Sequence, residues 1–241
     1  MKYFILIILI ISNCFANNSL NGNISIITGI KDELYEDDSN FFIAPLLSLK
    51  YKNYVFSGNS LGIITTNEDT LRNFSLEGSY SKYLLKSGNL DNKINENRLS
   101  PLYLSFSSTK NIKNDFISFI YKRELHTSGN IFSIDFSHLY FIKKINYLNM
   151  ISKIKYTMFD ENYSNYYFNF TSDEYNSMNL PYKNNSLTNR IDGGITLLYR
   201  ITSTTDLSLS YQLSFLDKNY IKNLDNGSIN SLFTLGTTYT F

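Results

Sequence analysis

Two histidines, His126 and His138, are the chain's whole supply of imidazole, so a histidine base would have to be one of them. His138 follows Ser137 and stands close to Asp135 in "IFSIDFSHLY", which groups the three residue types of a serine hydrolase. That chemistry requires nucleophile and base within hydrogen-bond reach. The stretch alternates, with Phe132, Ile134, Phe136 and Tyr140 against Ser133, Asp135 and Ser137. In a strand, Ser137 and Asp135 would share one face and His138 would project from the other. The spacing therefore argues against a triad, and His138 reads as an interface residue. His126, in "HTSGN", reads as a solvated loop residue. No HExxH, CxxC, GxSxG or P-loop pattern occurs, so no catalytic residue, metal ligand or cofactor is assigned. The acidic "DELYEDD" reads as a solvated loop rather than a cation site. The aromatic cluster from Tyr163 to Phe170 reads as a girdle at a strand end rather than a ligand-stacking platform.

The elements that would carry these residues are strands. Alternation recurs in segments of about ten residues, the length that a transmembrane β-strand requires. "NFSLEGSY" sets Phe74, Leu76 and Tyr80 against Ser75, Glu77 and Ser79, and "PLYLSFSS" sets Leu102, Leu104 and Phe106 against Tyr103, Ser105 and Ser107. "NMISKIKYTM" sets Met150, Ile154, Tyr156 and Met158 against Lys153, Lys155 and Thr157. "RIDGGITLLYRIT" and "DLSLSYQLSF" are separated by little more than "STT", which reads as a hairpin with a tight turn. Counting from Ile24 gives about twelve segments, with ten as the alternative because Asn40 to Asn67 is ambiguous. The longer connections are polar, as in "KSGNLDNKINENRLS" and "DKNYIKNLDNGS", which predicts one face of long loops and one of short turns.

Composition narrows the class. Formal net charge is +1, with 22 Lys+Arg against 21 Asp+Glu, which gives no support to nucleic-acid binding, since that normally needs a clearly basic surface. The N-terminal "MKYFILIILIISNCFA" has a positive Lys2, a short apolar run and the small Ala16, the pattern of a cleaved secretory signal peptide. The expected division is a signal peptide over 1–16 and one barrel domain over 17–241. Acylation of Cys14 is the rival reading, which Asn13 fits poorly. With Cys14 removed, no thiol remains for a disulfide, a thiolate metal site or a cysteine nucleophile.

A soluble sandwich would also alternate. Export, long and numerous strands, and tyrosines near strand ends on the apolar face (Tyr80, Tyr140, Tyr199, Tyr239) favour the membrane instead. Closing the sheet pairs every backbone amide within the bilayer. The expected fold is all-β, a closed antiparallel transmembrane β-barrel in the outer membrane. Lys50, Lys52, Glu77, Asp135, Lys153, Lys155, Asp192 and Arg200 would line its interior, where both signs suit ion pairing. "SLFTLGTTYTF" reads as the closing strand, and Tyr239 with the terminal Phe241 resembles the end signal read by barrel-assembly machinery.

Four stretches, "APLLSLKYKNYVFSGNSLGI", "NYSNYYFNFTSDEYNSMNLPYKNN", "DGGITLLYRIT" and "SYQLSFLDKNYIKN…FTLGTTYTF", together resemble the MipA/OmpV family of outer-membrane proteins. The stretch beginning "NYSNYYF" is similar to the family's tyrosine-rich strand, with Asn169 standing where a glycine is expected. The resemblance implies a barrel embedded in outer-membrane lipid and without catalytic activity. It also implies a scaffold for murein enzymes, because the name-giving member joins a lytic transglycosylase to a penicillin-binding synthase. Other members are surface antigens and adhesins. A narrow pore for small solutes is the alternative function.

Overall fold

The computed structural model describes residues 20–31, 41–78, 99–142, 145, 147–169, 172, 176, 187–217 and 229–241. The expected signal peptide, Cys14, the acidic "DELYEDD" beyond Lys31, and Tyr80 lie outside the described residues.

Alternating sequence becomes wall. The strands are β1 (Leu20–Lys31), β2 (Phe41–Tyr51), β3 (Tyr54–Ser57), β4 (Ser60–Asn67), β5 (Thr70–Gly78) and β6 (Leu102–Ile112), then β7 (Asp115–Glu124), β8 (Asn130–Phe141), β9 (Leu148–Phe159), β10 (Thr188–Arg200), β11 (Thr205–Leu216) and β12 (Ile229–Thr240). Each pairs antiparallel with its sequence neighbours, and β12 returns to β1, so the sheet is one closed barrel of twelve strands. The ambiguous region Asn40 to Asn67 resolves into β2, β3 and β4. Its ambiguity has a simple cause: β3 has four residues, too few to show a period.

The register fixes the two faces. Around the seam, Tyr239 pairs Ile24, and Ile24 pairs Leu47, all outward. Thr238 and Ser25 point inward and bond through their hydroxyls at 2.8 Å. The outward set is lipid-compatible and openly exposed, including Ile26, Phe74, Phe119, Ile134, Ile154 and Tyr211. The inward set is mainly Ser, Thr, Asn and charge, with apolar members such as Phe116, Leu139, Ile151 and Leu198 toward one end. Strict polarity of the interior is thus an oversimplification, since a packed lumen also accepts carbon.

Loop lengths divide the ends. The strand ends joined by the turns 52–53, 68–69, 113–114 and 201–204 and by 142–147 lie with Phe241 at one end. Those joined by the longest connections, 32–40, 79–101, 160–187 and 217–228, lie at the other, together with the short turns 58–59 and 125–129. The "STT" hairpin forms as expected, with Ile201 N–H donating to Thr205 O at 2.9 Å. Of the expected inner cations, Lys52 is a correction: it occupies the β2–β3 turn with φ 54, off the wall, its ammonium 5.4 Å from the Tyr51 ring centroid. A two-residue turn breaks the alternation that made Lys52 look like a partner of Lys50.

The other correction concerns the tyrosine cluster. Residues Glu161–Phe168 form a helix, α1, rather than a strand-end girdle. Asp160 caps it, its side chain accepting from Tyr163 N–H at 3.0 Å. Aromatic residues tolerate either state, and here the cap decides.

Candidate functional site in the barrel lumen

Most charged side chains of the inner wall lie on β5 and on β7 to β11. Asp135 on β8 is opposite Lys155 on β9, and Lys155 is opposite Asp192 on β10, so three ionisable residues form one cross-strand row. Each carboxylate is nevertheless held by another cation. Lys153 Nζ lies 2.6 Å from Asp135 Oδ2, and Ser137 Oγ donates to Asp135 Oδ1 at 3.1 Å. Arg190 Nε donates to Asp192 Oδ2 at 3.1 Å. Oδ1 of Asp192 is buried and has no hydrogen-bond partner among the described residues. Lys122 on β7 pairs with Glu77 on β5, across β6 between them, and Ser75 Oγ donates to Glu77 Oε1 at 3.0 Å. Near the short-turn end Arg200 Nε reaches Asp206 Oδ1 at 3.2 Å.

Interleaved pairs of this kind stiffen a wall, because each joins residues on one strand or ties separate strands together. They also leave a remainder. Lys155 has its two facing carboxylates already engaged, and it borders a lumen cavity of about 380 Å³. Lys153, Arg190, Asp192, Thr196, Ser210 and Gln212 also line that cavity.

The long-loop end is built differently. Tyr163 and Tyr167 of α1 bury against Ile131, Phe159 and Leu216, all from the lumen-facing set, and form a hydrophobic cluster. Phe159 and Tyr163 stack with centroids 5.2 Å apart. Ser164 Oγ and Thr188 Oγ1 lie 2.7 Å apart, both buried. Gly129 comes so close that an added Cβ would sit 2.7 Å from Tyr163. The helix is therefore seated inside the rim over β6 to β11, narrowing the mouth on that side. Below it Glu124, fully buried, accepts from the N–H of His126 at 3.0 Å and from Thr127 Oγ1 at 2.7 Å, closing the turn between β7 and β8.

The sequence-derived candidates fall where alternation put them, with additions. Ser137 and Asp135 face inward and His138 outward, so the His138 imidazole does not meet the serine. His138 Nδ1 lies 2.5 Å from Asp115 Oδ1 on the outer surface, its ring 4.1 Å from that of Tyr140. His126 is exposed in its turn. Tyr239 and Phe241 stack at 6.4 Å beside the seam, where Phe241 N–H donates to Gly22 O at 2.9 Å. Lys122, Arg190, Asp115 and Glu124 carry structure that motif reading missed. The signal for Lys122 and Arg190 was parity, since each shares the face of polar strand neighbours.

No curated protein sequence matches the chain. Among solved structures, the NanC porin matches at 11% identity over 90% of this chain and 100% of that one, with TM-score 0.48. The KdgM porin in complex with disordered oligogalacturonate matches at 10% identity over 91% and 99%, with TM-score 0.50. OmpT of Vibrio cholerae matches at 9% identity over 92% and 96%, with TM-score 0.40. At 10% identity the likeness to the KdgM porin is one of fold alone. The family model for MltA-interacting protein MipA matches residues 24–241, from the first seam strand to the last residue. The chain is an outer-membrane barrel protein and belongs to the MipA family.

Proposed function

We propose that the protein acts by interaction rather than catalysis: a membrane-anchored scaffold whose short-turn face docks enzymes of murein synthesis and remodelling. The observation that carries this reading is the seating of α1 within the rim, where Tyr163 and Tyr167 bury against lumen-facing side chains. A mouth narrowed by aromatic packing, above a wall cross-linked by ion pairs, favours a rigid body over a wide conduit. The family's name, MltA-interacting protein, supports a murein enzyme as one partner; a penicillin-binding synthase as the second is what the resemblance alone implies. In this reading the segment 1–16 directs export and is removed, and Tyr239 with Phe241 is read by the assembly machinery. Affinity capture from detergent extracts with murein hydrolases and synthases as prey tests it. Recovery of neither class removes the scaffold.

A second reading, a narrow pore for small solutes, is favoured by the polar lumen cavity of about 380 Å³ beside Lys155. Planar-bilayer recording separates the two, since discrete and reproducible openings would sink a purely structural role.

A further inference from the structure

We propose that the lumen cavity between β9, β10 and β11 is a binding site for a small hydroxylated carboxylate. The site goes beyond the interaction reading and does not require the lumen to conduct.

Charge comes first. Three cations, Lys153, Lys155 and Arg190, border the cavity against the single carboxylate of Asp192. Asp135 neutralises Lys153 at 2.6 Å, and Asp192 neutralises Arg190 at 3.1 Å. What remains is one net positive charge, on Lys155, which has no ion pair among the described residues and stands between two carboxylates that each pair with another cation, Asp192 through Oδ2 alone. An uncompensated ammonium in a partly enclosed site favours a monoanion over a neutral solute. A dianion would carry more charge than the single net positive charge of the site.

Shape comes second. Gly194 faces the lumen with Lys153 opposite it on β9 and Gln212 opposite it on β11. A Cβ at that position would lie 3.1 Å from Tyr211 O and 3.5 Å from Gln212 Cβ, so the glycine leaves room at this lumen-facing position. The cavity volume, about 380 Å³, lies within the range of small-ligand pockets.

Chemistry comes third. Facing the cations, the wall offers neutral hydrogen-bonding groups, Thr196, Ser210, Gln212 and Thr234, with Leu232 as an apolar contact. Thr196 Oγ1 and Ser210 Oγ lie 2.9 Å apart, so each retains capacity for a further bond. A carboxylate for Lys155 followed by a short chain of hydroxyls for this row satisfies both halves. A plain fatty acid would leave the hydroxyl row facing carbon, and a plain sugar would leave the ammonium unanswered.

The test is calorimetric titration of the full chain, refolded in detergent at low ionic strength, with sodium gluconate, sodium acetate and glucose as probes. Saturable one-to-one gluconate binding is expected, with acetate and glucose each at least tenfold weaker. Lys155→Gln should weaken gluconate at least tenfold, and Gly194→Val should do so with no change of charge. Heat-modifiable gel migration verifies that each variant is folded. If Lys155→Gln does not fold, Gly194→Val and the loss of wild-type affinity with added sodium chloride decide. Absence of saturable gluconate binding overturns the site. So do unchanged affinities in the folded variants, and acetate binding as tightly as gluconate overturns the ligand class. Gluconate binding without bilayer conductance leaves the site standing and removes the pore, and conductance without gluconate binding does the reverse.

Discussion

The hydroxyl of Tyr103 on β6 lies 2.9 Å from the hydroxyl of Tyr163 on α1, joining the barrel wall to the helix at its mouth. Sixty residues separate the two in sequence, and their rings sit 6.4 Å apart. Together with Tyr167, whose hydroxyl donates to Leu99 O at 3.3 Å, the contact fixes where the helix rests.

Seating of α1 depends on space as well as on bonding. Gly129→Leu drives a side chain into Tyr163, which an added Cβ would already approach to 2.7 Å. The expected outcome is a displaced helix over an intact barrel, since overpacking costs about 1–3 kcal/mol and falls on the helix first. Limited proteolysis should cut the 160–187 connection several times faster, while heat-modifiable migration is kept.

The pair Lys122–Glu77 bridges the two sides of β6. Glu77→Gln removes the charge and leaves Lys122 unanswered in a partly buried site, a loss of about 2 kcal/mol. Urea unfolding in lipid vesicles measures it. The double variant Glu77→Gln with Lys122→Met should be more stable than Glu77→Gln alone, because the stranded charge is gone.

Glu124 stabilises its turn by accepting from several donors at once while fully buried. Glu124→Ala orphans the N–H groups of His126 and Thr127. The expected cost is about 2 kcal/mol, read as a lower urea midpoint with an unchanged slope.

Deletion of Phe241 removes a ring stacked on Tyr239 and both backbone bonds to Gly22, at 2.9 and 3.0 Å. Export should be unaffected and outer-membrane insertion reduced severalfold, as followed by fractionation. Normal insertion of the truncated chain would end the assembly-signal reading of Tyr239 and Phe241.

Period two made the wall legible. Strands β6, β8, β10, β11 and β12 follow stretches whose alternation is nearly unbroken, and the inward placement of Glu77, Asp135, Lys153, Lys155, Asp192 and Arg200 follows from parity alone. Lys52 shows where parity ends, because a turn resets the count. The helix α1 is not legible in the same way, because its aromatic residues suit strand or helix. Its deciding cap, Asp160, has the composition of any polar loop residue. Pairing partners were not legible at all. That Asp135 takes Lys153 and leaves Lys155 over depends on side-chain reach across the register, which no single strand contains.

The seam between β1 and β12 sets a temporal order. Ser25 and Thr238, which touch across it, are 213 positions apart. Closing so long a segment of chain is entropically slow, and no local stretch can make the contact in advance. Until the last strand arrives, β1 presents an unpaired edge that would join any neighbouring strand. The barrel is thus closed only by the pairing of β12 with β1, and until that contact forms the edge of β1 has to be shielded by something other than this sheet.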